Sequence, residues 1–244
     1  MCGRFLLATP PALVAEIFGL GDPIPWSDKW RPRFNIAPSQ DVLMVRGTES
    51  GGGREAAWAR WGLIPSWAKE ADIGNRTINA RSETADRKPA FRSAFKHRRC
   101  LIPADGFYEW QAPADGGKKI PHCIRIAGGH AGLREGVQSL PGLFAMAGLW
   151  ERWQEEGESA RVVESCTILT CDANEAIRPL HERMPVILPS DRWGRWLDDS
   201  AGVGEVKALC VPWPANRTTS YEVGTWVNSP RHDDPRCIEP REGS

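Results

Sequence analysis

What most limits the fold of this chain is the way its apolar residues are punctuated. Strand-length runs at 41–46, 55–63, 100–103, 107–111, 122–126, 143–150 and 162–170 are separated by Gly, Pro and Asp turns. Helical patterns are short by comparison. Thr9-Pro10-Pro11 followed by Leu13, Val14, Ile17 and Phe18 predicts a capped helix with proline in its first turn and Gly19 as its stop. Residues 82–99 predict a helix in two pieces around Pro89, and 174–178, 191–197 and 203–209 predict short helices. Gly51-Gly52-Gly53 makes a hairpin of the first two strands, and Ala104-Asp105-Gly106 reads as a tight turn. The Pro- and Trp-rich segment 21–40 predicts an extended loop, and 113–117 and 128–142 predict surface hairpin loops. No Gly/Ser linker and no internal repeat divides the 244 residues. The expected fold is a single α+β domain over residues 1–240, in which a curved, largely antiparallel, barrel-like sheet is surrounded by short helices, with a short tail at 241–244.

Charge and cysteine content narrow the function. Lys plus Arg and Asp plus Glu both total 31, so the chain has no net charge and is not built to coat duplex DNA by bulk attraction. A local basic groove remains open. From Arg76 to Arg99, eight arginines and lysines face only Glu83 and Asp86, an excess of six positive charges. That run reads either as a solvated helix face or as a phosphate surface. The seven cysteines include no Cys-x-x-Cys pair, and those beyond Cys2 predict reduced, buried thiols. Neither a metal nor an organic cofactor is expected. No signal peptide precedes Cys2 and no apolar run approaches membrane-spanning length, which predicts a cytoplasmic protein, nucleoid-associated if its source is bacterial. Several of the twelve tryptophans stand beside Gly, Pro or Arg, where flat rings contact ligands or bases.

Four places carry chemistry. Removal of Met1, expected before a small side chain, would leave Cys2 with a free α-amine next to its thiol. A 1,2-aminothiol condenses with an aldehyde through an imine to a five-membered thiazolidine, which no internal cysteine can do; the alternative is a cysteine in a loose terminus. Asn79-Ala80-Arg81-Ser82-Glu83 reads as a helix start capped by Asn79 or Ser82, or as a polar cluster aimed at a phosphate or sugar. In Gly106-Phe107-Tyr108-Glu109-Trp110, strand alternation puts Phe107, Glu109 and Gln111 on one face and Tyr108 and Trp110 on the other. A carboxylate among large rings loses hydration, which suits Glu109 to proton transfer; the alternative is an exposed edge-strand glutamate. His181, with Arg183 two residues on, reads as a proton shuttle beside an anion site, whereas His97, His122, His130 and His232 lack comparable company.

In order along the chain, Met1-Cys2-Gly3-Arg4-Phe5, Arg33-Phe34-Asn35-Ile36-Ala37-Pro38, Trp61-Gly62-Leu63-Ile64-Pro65-Ser66-Trp67, Asn79-Ala80-Arg81-Ser82-Glu83-Thr84, Ala104-Asp105-Gly106-Phe107-Tyr108-Glu109-Trp110 and Leu180-His181-Glu182-Arg183-Met184-Pro185 resemble the SOS-response-associated peptidase family of abasic-site processing proteins. The resemblance runs from residue 1 to about 240. It implies binding of abasic sites in single-stranded DNA and a thiazolidine crosslink through mature Cys2 that protects the lesion during the DNA damage response. It also implies self-processing that removes Met1, and reversal of the crosslink. By matching, Cys2 is the nucleophile and Asn79, Glu109 and His181 are its partners. Arg4, Arg81 and Arg183 would hold phosphates, Trp67 and Trp110 would lie near the DNA, and Asn35, Pro38 and Thr170 would complete the DNA contacts. The implied partner is single-stranded DNA, with the replication machinery as a further candidate, and a monomer is expected. Two rival readings stand beside this one: an N-terminal-nucleophile cysteine amidohydrolase of the glutaminase kind, and a noncatalytic single-stranded DNA-binding module in which Cys2 is incidental.

Overall fold

The computed structural model describes residues 2–21, 30–48, 52–113, 116–127, 142–155 and 161–241. Along the chain run β1 (Phe5–Leu7), α1 (Pro11–Phe18), β2 (Arg33–Ile36), β3 (Asp41–Gly47), β4 (Arg54–Trp61), β5 (Asn79–Arg81), α2 (Arg92–His97), β6 (Arg99–Ala104) and β7 (Gly106–Gln111). They are followed by β8 (Ile120–Ile126), β9 (Phe144–Gln154), β10 (Val162–Asp172), β11 (Arg183–Pro185), β12 (Ile187–Leu188), α3 (Trp193–Leu197), α4 (Val203–Ala208) and β13 (Thr218–Glu222).

Five strands close into a barrel. β3 and β4 form the expected hairpin, β3 pairs β6, β6 pairs β9 and β9 pairs β10, all antiparallel; β10 then meets β4 in parallel at Cys166↔Trp61. Closure leaves no open edge in that ring. Met44, Cys100, Leu101, Ile102, Leu149, Cys166 and Ile168 are fully buried in the core around it. Gly148 is required where β9 crosses β6, because a Cβ there would lie 2.9 Å from the Cys100 sulfur. The expected α+β architecture with a barrel-like sheet is thus the one observed.

A second sheet, in the order β13-β8-β7-β1-β2, is antiparallel throughout. Its alternation sorts residues cleanly. Phe5, Leu7, Phe107 and Ile124 join the main core, while Leu6, Tyr108 and Cys123 pack on the other side with Val223, Val227 and Cys237 from the C-terminal segment.

The chain passes from barrel to second sheet at Asp105. Ala104 ends β6 and Gly106 begins β7, and these strands belong to different sheets, so the predicted tight turn is instead a corner. Asp105 is fully buried, and its carboxylate accepts from the Ala8 and Thr9 amides (2.6 and 2.8 Å) and the Thr9 hydroxyl (2.5 Å). Arg125 donates to its carbonyl at 2.7 Å. Thr9 is spent on this corner rather than on capping α1, whose N-terminus has no side-chain cap. Gly19 ends α1 in the left-handed conformation as expected, and Phe18 stacks on Trp193 at 4.3 Å.

Other differences have local causes. Asn79-Ala80-Arg81 is a strand rather than a helix start, because it finds β10 as a parallel partner (Ile168↔Asn79, Thr170↔Arg81); helical turns begin only with the Ala85 amide donating to the Arg81 carbonyl. Of residues 82–99 only α2 is an α-helix, and 174–178 is a set of hydrogen-bonded turns. Segment 21–40 contains β2, and β1, β12 and β13 had no expectation. The predicted loop at 128–142 falls almost wholly outside the described residues, as do 114–115 and 242–244.

Asp105→Ala would strand buried amides and leave the corner unbraced. A loss of about 3–5 kcal/mol in urea unfolding is expected, much larger than for an exposed carboxylate.

Candidate active site

Cys2 lies where the two sheets meet. It leads into β1 of the second sheet, and its carbonyl accepts a 2.8 Å hydrogen bond from the Asn79 side chain on β5, which belongs to the barrel sheet. The Cys2 side chain is fully buried. Burial first, and then the nearby Glu109 carboxylate, push the thiol far above its usual range, so it is protonated at neutral pH. The second Asn79 polar atom, Oδ1, is buried without a partner among the described residues. An unused acceptor beside Cys2 is a seat for an amine or hydroxyl donor.

Glu109 sits on β7, on the face predicted for it, and is 4% exposed. Burial raises its pKa to about 7, with the positive N-terminal amine and Lys119 pulling the other way. That value lets one carboxyl both take and give protons near neutrality. His181 approaches from the loop before β11. Its Nδ1 accepts the Arg183 amide at 2.9 Å, which leaves the neutral ring's proton on Nε2. Burial, followed by the positive N-terminal amine, lowers its pKa, so the ring is neutral at physiological pH. The Cys2, Glu109 and His181 titrations all respond to that same terminal charge, and the Asn79 hydrogen bond reaches Cys2 directly. Asn79 is therefore in contact with Cys2, and Glu109 and His181 stand within electrostatic reach of the same end of the chain.

The predicted DNA-binding residues divide into two groups. Arg81 is exposed on β5, and Trp67 is 60% exposed in the segment between β4 and β5. Gly62 lets that segment fold back on itself: its φ is +128°, and a Cβ would meet the Gly74 carbonyl at 2.4 Å. Pro38 is half-buried beside Ser39, whose φ is +69°. The others are committed to the protein. Arg183 forms a bidentate pair with Glu83 (2.8 and 2.9 Å) and also bonds Asp172 and the Thr170 carbonyl, bracing the His181 loop against the end of β5. Thr170 is buried on β10. Arg4 donates to Asn35 Oδ1 (2.8 Å) and to the Val227 carbonyl (2.9 Å), and fully buried Asn35 donates to the carbonyls of Val227, Ser229 and His232. Half-buried Trp110 donates to Asn228 at 2.7 Å. These three hold the C-terminal segment.

Two further residues border the site. His122, set aside from sequence, lies directly across β7–β8 from Glu109; its Nε2 is 3.2 Å from Gln111 Oε1 and its Nδ1 is buried without a partner among the described residues. Lys119, just before β8, acts electrostatically on both Glu109 and His181. The signal for both was the hairpin around 113–117, whose register brings 120–122 opposite 109–111. Among the described residues no three His, Cys, Asp or Glu side chains group so as to hold a metal, and no helix is long and apolar enough to cross a membrane.

The six sequence segments implied a family, and comparison with known proteins shows it. The chain belongs to the SOS response associated peptidase family, whose model matches residues 1–230. It is 37% identical over 241 residues to the abasic site processing protein YoqW of Bacillus subtilis, covering 98% of this chain and 99% of that protein. It is 34% identical over 231 residues to the abasic site processing protein HMCES of Xenopus tropicalis, covering 87% of this chain and 67% of that one. Among solved structures, a protein from Bacteroides thetaiotaomicron shares the fold with a TM-score of 0.83 at 24% identity, covering 98% of this chain and 100% of that one. A protein from Bordetella bronchiseptica gives 0.71 at 26% identity, covering 91% and 100%.

A carboxyl whose pKa rises on folding takes up a proton as the chain folds. Its contribution to stability is complete below the ordinary value of 4.5 and is lost as pH climbs through about 7. Glu109→Gln is expected to match the wild type in urea unfolding near pH 4 and to exceed it by on the order of 2 kcal/mol near pH 8.

Proposed function

We propose that this chain recognises abasic sites in single-stranded DNA and, once Met1 is removed, captures the opened sugar as a thiazolidine on Cys2, shielding the lesion. The observation that carries this reading is a backbone-anchored Cys2 whose thiol is held protonated beside a carboxyl that titrates near pH 7. The relatives' names as abasic site processing proteins supply the substrate.

As the hemiacetal opens to its aldehyde, the Glu109 carboxylate takes the proton of the anomeric hydroxyl and the protonated fraction of His181 gives one to the ring oxygen; Glu109 then passes its proton back to His181. The Cys2 α-amine, with a reference pKa of about 7.7–8.0, is partly neutral near pH 7 and attacks the aldehyde carbon. Glu109 takes a proton from nitrogen and returns it to the departing hydroxyl, so that one water leaves and an imine forms. Asn79 Oδ1 orients the amine or a sugar hydroxyl. The thiol then adds to the imine carbon: a C–S bond forms and the thiol proton moves, by way of Glu109, to nitrogen. That closure is intramolecular, with a high effective molarity. Arg81 and Trp67 receive the strand, while Arg4, Asn35, Trp110, Thr170 and Arg183 hold the frame that positions the site. Removal of Met1 is a self-processing, peptidase-type step, and the capture is reversible at the same site.

The burial of Cys2 bears on the rival reading. A glutaminase-type mechanism starts from sulfur attack on a carbonyl and needs a thiolate. Here both desolvation and Glu109 oppose ionisation of the thiol, which favours the order amine first, sulfur second.

Intact-mass analysis after incubation with an abasic oligonucleotide tests the whole reading. Loss of Met1 and one adduct per chain, with loss of one water, are expected. Cys2→Ala should form no adduct that survives denaturation, and an adduct there would exclude Cys2. Glu109→Gln should slow capture by about 100-fold or more with noncovalent affinity nearly intact. Ammonia release from glutamine would favour the amidohydrolase instead.

A further inference from the structure

The basic run beside the site is only partly used by the capture chemistry, and the structure sorts its members. Arg99 is buried, with its guanidinium bonded to the carbonyls of Phe95, Lys96, Trp196 and Asp198. Arg98 is paired with Glu151 at 2.7 Å. The two acids of the run are both neutralised by cations from elsewhere, Glu83 by Arg183 and Asp86 by Lys207 at 3.0 Å. Arg76, Arg81, Arg87, Lys88, Arg92 and Lys96 remain. All six are exposed, and among the described residues none has an acidic partner within 4.0 Å. Several arginines on other surfaces are compensated, as Arg46, Arg195, Arg236 and Arg241 show, and exposed ones without an acidic partner, such as Arg152, Arg178 and Arg231, stand singly along the sequence rather than in a run.

This arrangement works against the isolated fold. Arg92 and Lys96 stand four apart on α2, a like-charge spacing that weakens a helix. Arg92 also opens that helix, whose first turn carries no acid, so a cation sits at the positive end of the dipole. In a chain of zero net charge, an uncompensated cluster of this kind is stabilised by a polyanion from outside. Its starting point is set by Arg81, two residues past the Asn79 that grips Cys2.

We propose that Arg87, Lys88, Arg92 and Lys96 continue from Arg81 as a track for the phosphates of a nucleic-acid strand, gripping the backbone beyond the lesion on one side only. The track rests on the proposed function for its direction, because Cys2 supplies the end from which it runs. It contributes ionic affinity without reading bases, by releasing the counterions condensed on the strand.

The test uses the full chain and single strands bearing a tetrahydrofuran abasic analogue, which lacks an aldehyde and so reports binding alone. One strand ends about two nucleotides to each side of the lesion; two others extend it by about ten nucleotides, on the 5′ side or on the 3′ side only. The variant combines Arg87→Ser, Lys88→Ser, Arg92→Gln and Lys96→Gln. Wild type and variant should bind the short strand alike. Wild type should gain affinity from one of the two extensions, and the variant should lose that gain, with a salt slope shallower by about 2–3 for four phosphate contacts. Equal slopes for the two proteins, equal gains from both extensions, or weakened binding of the short strand would each overturn the track. Adduct formation on a short strand with a true abasic site serves as the control. The variant should react at the wild-type rate, and a slower variant counts against the track as a change in the fold. Failure of the wild type to react would overturn the capture reading while leaving the binding comparison intact.

Discussion

Strand β10 is used by four partners, and the site depends on that. On one edge it pairs β4 at 165–166 and then β5 at 168–170; on the other it pairs β9 along 162–168 and then β11 at 170–172. The first half of the strand closes the barrel. The second half carries Asn79 on β5 to one side, and on the other side β11 with the turn that holds His181. Arg183 then ties these two edges together through Glu83, Asp172 and the Thr170 carbonyl. A rigid, closed barrel thus extends two short arms toward Cys2, and the second sheet delivers Cys2 and Glu109 from the opposite direction. The placement of reactive groups on strands rather than on long loops keeps the geometry preorganised.

The same geometry explains why the site is chemically tense. Glu109 is buried, the charges of the N-terminal amine and Lys119 offset that burial only in part, and Cys2 is buried close enough to feel its charge. Asp105 offers the contrast within one motif. Four residues before Glu109, it is equally buried but is supplied with two amides and a hydroxyl, so it stabilises a corner. One carboxylate is satisfied and structural; the other gives up stability above neutrality in exchange for a usable protonation equilibrium.

Much of this was legible in the sequence because strand periodicity and turn residues are local. The β3–β4 hairpin, the helix ending at Gly19 and the two faces of β7 all follow from short-range rules. Local company also singles out Cys2, Asn79, Glu109 and His181 as candidates, while the roles proposed for them come from the family resemblance. What could not be read was long-range pairing. Asn79-Ala80-Arg81 carries a helix-start pattern and becomes a strand only because β10, some ninety residues later, offers an edge. The internal hydrogen bonds of Arg4, Asn35 and Arg183 were out of reach for the same reason. Their partners lie at 227–232, 83 and 172, and a cation whose counter-charge is distant in sequence resembles one awaiting a phosphate. His122 was passed over because its neighbour is across a hairpin rather than along the chain.

The hold of Arg4, Asn35 and Trp110 on residues 227–232 has a consequence for biosynthesis. Cys2 leads into a strand flanked by β2 and β7, yet the residues that fasten this strand from outside, 227–232, are translated long after it. Until those residues have been made, Cys2 lacks the frame that seats it. The register of that strand is locked only when segments far apart in the sequence have met.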